Sequence, residues 1–140
     1  MISKNALMTI EYAGKLAQKL SGGEVIGLIG DLGSGKTTFT KGLAETLKVS
    51  ETVNSPTFVL LKDYPAKIKD HKIHFVHVDA YRVENIEDIK SVGIEDYLNR
   101  DDVILVIEWA EKITEILPQN TILIKFKTLD EKTRQIKIQK

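Results

Sequence analysis

The sequence predicts an α/β fold, one three-layer domain over residues 1–140 with a mixed, mainly parallel central sheet and helices on both faces. Three observations carry this. Val25-Ile26-Gly27-Leu28-Ile29 and Val103-Ile104-Leu105-Val106-Ile107 are apolar runs of strand length without polar alternation, the mark of interior strands buried on both faces. Helical periodicity lies on either side of the first run, and 140 residues suit a single domain that buries about two-thirds of its unfolded surface. Between the first run and its following helix stands Gly30-Asp31-Leu32-Gly33-Ser34-Gly35-Lys36-Thr37, a complete G-x-x-x-x-G-K-[ST] loop.

The elements follow in order. Leu7, Ile10, Ala13, Leu16, Ala17 and Leu20 recur at helical spacing, and Gly22-Gly23 stops that helix before the strand Val25 to Ile29. Phe39, Leu43, Ala44 and Leu47 give the helix after the loop its buried face. Ser50 to Pro56 reads as an irregular connection. Thr57 to Leu61 and Ile73 to Val78 read as the arms of a hairpin, with the proline and lysines of Tyr64 to Lys72 as its solvated tip. Asn85 is placed to cap a short helix bearing Ile86, Ile89 and Val92, and Gly93 to end it; Ile94, Tyr97 and Leu98 suggest a further turn. Thr121 to Phe126 and Thr133 to Ile138 alternate apolar and polar residues and are expected to pair near an edge of the sheet.

The glycine-rich loop specifies its own chemistry. Backbone N–H groups turn toward an anion only where no Cβ obstructs, which Gly30, Gly33 and Gly35 permit, and the start of the next helix adds unpaired N–H donors and a positive dipole end. Lys36 is expected to bridge the β- and γ-phosphates of a nucleoside triphosphate, and the hydroxyl of Thr37 to ligate Mg²⁺ beside them. The candidate nucleotide contacts are therefore Asp31, Leu32, Gly33, Ser34, Gly35, Lys36, Thr37 and Thr38, in a P-loop NTPase-like sandwich with a nucleoside triphosphate and Mg²⁺ as cofactors. A glycine-rich turn without ligand would have no use for Lys36 and Thr37 at fixed offsets.

Open α/β sheets bind ligands beyond the carboxyl ends of their strands, and two apolar strands end there in a carboxylate. Asp79 ends Phe75 to Val78 and is the expected Mg²⁺ ligand; Glu108 ends Val103 to Ile107 and is placed to orient or deprotonate water, with a share in holding the metal. The other reading of Glu108 is an ordinary strand-end acid facing solvent. In Ser55-Pro56-Thr57 the fixed φ of Pro56 presents the Thr57 hydroxyl as a further candidate contact. His77 reads as a packed strand histidine rather than a metal ligand, because one histidine without partners defines no site. Trp109, the single tryptophan, either shields the site, meets a partner, or packs at the rim. No arginine finger is obvious within the chain; Arg82, three residues past Asp79, is nearest in sequence.

Twenty basic and twenty acidic residues cancel, which removes the electrostatic footprint of a protein that grips nucleic acid by itself. Cysteine is absent, so disulfides and thiolate metal sites are excluded. No segment has the apolar length of a membrane span, and the expected setting is soluble and cytoplasmic.

These landmarks taken together resemble the TsaE family, small ATPases of bacterial threonylcarbamoyladenosine synthesis on transfer RNA. The resemblance runs nearly end to end and rests on Gly30 to Phe39, Ser55-Pro56-Thr57-Phe58, His77-Val78-Asp79-Ala80-Tyr81-Arg82, Gly93-Ile94 with Tyr97, and Ile107-Glu108-Trp109. Ala110 stands where the family often has proline, and Val78 where it often has an aromatic. The resemblance implies an ATPase that joins the TsaD and TsaB proteins without performing the transfer itself, meets transfer RNA only through that complex, and touches no membrane. It gives Lys36 and Thr37 phosphate and Mg²⁺ contacts, Asp79 the Walker B-like role, and Glu108 a part in hydrolysis.

Three other readings use the same loop. A small-molecule or nucleotide kinase would deliver the γ-phosphoryl group to an acceptor, but Arg82, Arg100 and Arg134 are the only arginines to clamp it. A GTPase switch lacks an Asn-Lys-x-Asp sequence and the glycine of an Asp-x-x-Gly segment. A nucleotide-gated binding module, with hydrolysis incidental, overlaps the ATPase reading.

Overall fold

A computed structural model of the chain describes residues 1–53 and 60–139. Its elements are β1 (Ile2–Ser3), α1 (Ala6–Ala17), β2 (Val25–Ile29), α2 (Lys36–Thr46), β3 (Leu61–Ile68), β4 (His71–Asp79), α3 (Ile86–Lys90), β5 (Val103–Glu108), β6 (Ile122–Thr128) and β7 (Arg134–Gln139), with 3₁₀ turns at Ile94–Tyr97, Ala110–Lys112 and Thr114–Ile116. The strands form one sheet in the order β1-β7-β6-β2-β5-β4-β3. Its centre, β6-β2-β5-β4, is parallel, and the strands outside it pair antiparallel. The sheet is mixed and mainly parallel with helices on both faces, as the apolar runs require.

One face is covered by α1 and α2, where Ala13, Leu16, Phe39 and Leu43 pack on Ile26, Leu28, Val106 and Phe126. Phe39 meets Phe126 edge to face at 5.4 Å. The two helices touch closely at Gly42: a Cβ there would stand 2.7 Å from the Ala13 Cβ and 2.9 Å from the Ile10 carbonyl oxygen. The opposite face is covered by α3 and the 3₁₀ turns, with Ile89, Ile94, Ala110 and Ile113 against Val76, Leu105 and Ile107. Asn85 caps α3 in a reciprocal box with Asp88, and Gly93, at φ 85°, carries the chain out of it.

The structure corrects two expectations and adds one element. The hairpin tip is not Tyr64 to Lys72: β3 runs to Ile68, β4 starts at His71, and Lys69-Asp70 alone make the turn. Tyr64 and Ala66 are buried and alternate with exposed neighbours, a period-two pattern that the lysines and Pro65 obscure. Pro65 is tolerated because β3 is the edge strand, where a missing N–H costs no ladder bond on the open side. Leu7 is 65% exposed in the first turn of α1; the inward position belongs to Thr9, whose hydroxyl lies 2.7 Å from the Ser3 hydroxyl. β1 was not expected; it adds to β7 as a two-residue edge. Of the expected strand Thr57 to Leu61, residues 57–59 lie outside the described residues, as does the Ser55-Pro56-Thr57 feature.

Candidate functional site

β2 is buried along most of its length and delivers the chain to the glycine-rich loop; α2 begins at Lys36 directly after it. Gly33 and Gly35 take φ 76° and 106°, a region that a Cβ-bearing residue enters only at a cost. Gly35 is the N-cap of α2 and makes no side-chain cap, so the dipole end of the helix is left to an external anion. The loop is braced by the Ser34 N–H, which donates to the Asp31 carbonyl at 3.1 Å.

Lys36 is folded back onto this loop. Its Nζ donates to the carbonyls of Gly30 at 2.5 Å and Asp31 at 2.8 Å, and to Ser34 Oγ at 3.4 Å, and it lies 4.1 Å from the centre of the Trp109 ring. Burial pulls its ammonium below the ordinary lysine range, against the opposing pull of Glu108, Glu111, Asp79 and Asp31. A desolvated cation with acidic neighbours gains most when a polyanion arrives.

The strand order brings the second half of the site to the same place. β5 lies between β2 and β4, all parallel, so their carboxyl ends open on one side and Asp79 is in register with Glu108. The Thr37 hydroxyl donates to Glu108 Oε1 at 2.8 Å, and Glu108 Oε2 lies 2.6 Å from His77 Nε2. Burial pushes the Asp79 carboxyl above its ordinary range, against the bond that its Oδ1 accepts from the Tyr81 N–H at 3.0 Å. The donors that converge here, a hydroxyl and two carboxylates, are all oxygen, which suits Mg²⁺ rather than a softer ion. A half-desolvated carboxylate and an anion cradle beside it fit a metal bound together with phosphate.

A cleft of about 680 Å³ runs through this region. Of the residues expected at the nucleotide, Leu32, Gly33, Gly35, Lys36, Thr37 and Thr38 line it, together with Asp79 and Glu108. Asp31 and Ser34 do not line it; they form the turn and accept from Lys36. Thr57 lies outside the described residues. Trp109 lines the cleft with Tyr81, their ring centres 5.0 Å apart, and its φ of 62° holds it in a conformation unusual for a large side chain. Its ring covers Lys36 and also packs against the buried cluster on that face of the sheet.

The cleft is also lined by residues without a sequence motif: Asn5 and Thr9 of α1's start, and Glu131, Lys132 and Arg134 beside the β6–β7 turn. Arg134 reaches the phosphate loop, with Nη2 3.1 Å from the Gly33 carbonyl, and its Nη1 donates to the carbonyls of Asp130 and Thr133. Arg82, the arginine nearest in sequence, does not line the cleft among the described residues. Nothing local could have singled out Arg134, 101 residues from Gly33. For His77 a signal existed: it stands two residues before Asp79 on one strand, hence on the same face.

The family model described as threonylcarbamoyl adenosine biosynthesis protein TsaE matches residues 3–136. The chain is 43% identical over 114 residues to the tRNA threonylcarbamoyladenosine biosynthesis protein TsaE of Bacillus subtilis, covering 81% of this chain and 68% of that protein. It is 34% identical over 137 residues to the TsaE protein of Treponema pallidum, covering 98% and 97%. The crystal structure of Bacillus subtilis YdiB superposes with a TM-score of 0.79 at 33% identity, over 97% of this chain and 80% of that one. The phosphate loop, the paired strand-end carboxylates and these matches lead to one conclusion: the chain belongs to the TsaE family.

Proposed function

We propose that this protein is a Mg²⁺-dependent, slow ATPase that supports threonylcarbamoyladenosine modification of transfer RNA in the cytoplasm, in association with TsaD and TsaB proteins. The observation that carries the reading is the convergence of the uncapped start of α2 with Thr37, Asp79 and Glu108 around one cleft.

In this reading the loop N–H groups and the start of α2 bind the phosphates, and Lys36 leaves the Gly30 and Asp31 carbonyls to neutralise them. Thr37 and Asp79 would hold Mg²⁺, with Glu108 adjoining; when bound, the ion supplies positive charge on the phosphate oxygens. Glu108 accepts from Thr37 and is placed to orient the attacking water, taking its proton as the bond to the γ-phosphorus forms and the bond from that phosphorus to the β–γ bridging oxygen breaks, releasing ADP and inorganic phosphate. Trp109 and Tyr81 exclude bulk water from that end. The base and ribose lie toward Asn5, Thr9 and Arg134. Slow turnover is inferred from the arginines: Arg134 already donates to three carbonyls, and a free arginine finger is worth about 10³- to 10⁵-fold in rate. The neutral charge balance suits a subunit whose partners handle the transfer RNA.

Phosphate release from Mg-ATP, measured for the chain alone and with TsaD and TsaB added, tests the proposal. Slow release that rises with the partners is expected. Brisk turnover by the chain alone, or no heat of ATP binding in calorimetry, would overturn it.

A further inference from the structure

Beneath the phosphate loop, two buried polar side chains from neighbouring strands meet, and one of them belongs to no motif role given above. His77 is 0% exposed and Glu108 3% exposed. Nε2 of His77 lies 2.6 Å from Oε2 of Glu108, and the imidazole's other nitrogen, Nδ1, has no hydrogen-bond partner among the described residues. The second carboxylate oxygen, Oε1, accepts from Thr37 at 2.8 Å.

An ionised carboxylate only accepts, so the proton in the 2.6 Å contact belongs on Nε2. Placing it on Nδ1 would leave a buried donor with no acceptor and set two lone pairs against each other. The imidazole spends its one N–H on Glu108 and does not itself line the cleft. We propose that His77 is the positioning residue of the nucleotide site: its Nε2–H fixes Oε2 of Glu108 and thereby keeps Oε1 turned to Thr37 and the reacting phosphate. Glu108 ends its strand, and its side chain has rotamers that point elsewhere; the bond to β4 selects one. The same bond ties β4, which carries Asp79, to β5, which carries Glu108, at the level of the site. Partners that orient a ligating or reacting group from behind are typically worth about 10- to 100-fold in affinity or activity.

This inference rests on the reading of Glu108 as the group that works on water, and the experiment separates the two. Histidine side-chain nitrogen and proton NMR of the nucleotide-free protein reads the bond without any turnover. A His77 Nε2–H proton shifted far downfield and lost in Glu108→Leu is expected; a ring protonated on Nδ1 alone overturns the inference. Turnover is then measured with the partner proteins present. His77→Leu, which keeps apolar bulk but no donor, is expected to lower kcat by about 10- to 100-fold with KM for Mg-ATP changed less than about threefold. His77→Gln, whose amide extends an N–H to a similar reach, is expected to recover most of that loss. Adding His77→Leu to Glu108→Gln should cost nothing further, since the two act as a unit. Unchanged kcat in His77→Leu, or an undiminished additional loss in the double variant, overturns the proposal. Should His77→Leu fail to fold, His77→Gln against His77→Asn decides: an active Gln and a slow Asn variant support it, and equal rates refute it. A wild-type protein with the downfield proton but no ATP turnover would instead sink the ATPase reading and leave the His77 contact standing.

Discussion

Lys36→Ala is expected to weaken Mg-ATP binding by about 10- to 100-fold, less than the loss of a fully solvated lysine would suggest. The reason is what the ammonium does before nucleotide arrives. It donates to two loop carbonyls at 2.5 and 2.8 Å, reaches Ser34 Oγ at 3.4 Å and lies over the Trp109 ring. Moving onto the β- and γ-phosphates exchanges these contacts for new ones, and charge-assisted bonds of about 1.5–3 kcal/mol each cancel nearly one for one. What does not cancel is the phosphate's full negative charge: a unit pair at 4 Å is worth about 4 kcal/mol at an effective dielectric of 20, offset by the lost carbonyl dipoles and ring contact. A net of about 1.5–3 kcal/mol remains, and about 1.4 kcal/mol is tenfold in affinity. Titration calorimetry with Mg-ATP and with AMP measures it, a thermal melt establishing that the variant is folded. AMP lacks the phosphates assigned to Lys36, so its affinity should change little. If Lys36→Ala binds Mg-ATP as tightly as the parent, or loses AMP by the same factor, the ammonium does not serve the outer phosphates.

Glu108→Gln is expected to keep Mg-ATP affinity within about threefold while turnover with the partner proteins falls by about 10²-fold or more, since the carboxylate acts on water and not on bound nucleotide; steady-state phosphate release and calorimetry together check this. Asp79→Asn should raise the Mg²⁺ concentration needed for half-maximal activity, and a metal titration that does not shift would move the ligand role elsewhere. The same substitution should raise the melting temperature of the nucleotide-free protein near pH 7. The folded Asp79 carboxyl sits above its ordinary value of 3.8 because burial disfavours the charge. The stability of the protonated form is therefore fully present below that value and lost as pH rises through the folded one. Consequently, the gap between Asp79→Asn and parent should close as pH falls toward 3.8, and a gap that widens on acidification would contradict the sign. Gly42→Ala should destabilise by about 1–3 kcal/mol in urea unfolding, because its Cβ would land on the Ala13 methyl and the Ile10 carbonyl, neither of which has a flexible end to move aside.

Legibility in the sequence followed the range of the interactions. β2 and β5 were readable because a strand buried on both faces must be apolar throughout, and the loop because its anion chemistry fixes residue types at short offsets. Asp79 and Glu108 were readable as residues where apolar runs stop. The β3–β4 hairpin was not, since lysines and Pro65 on the exposed face of an edge strand look like a loop when the edge itself is unknown. Leu7 failed for a similar reason: helical spacing puts it on the apolar stripe, but nothing in the first turn of α1 packs over it, and Thr9 bonds inward to Ser3 instead.

Local pattern was enough to establish that a phosphate-binding loop stands between an interior strand and a helix, and which strand ends carry carboxylates, because these follow from periodicity and spacing over a few residues. It took the folded sheet to show that β5 lies between β2 and β4, which joins Thr37, Glu108 and His77 in one bonded row with Asp79 alongside. Only it placed Trp109 over Lys36 and brought Arg134 from β7 to the loop. The physical reason is that strand order is set by how two faces of one sheet are covered, a property of the whole chain's packing that no local pattern records.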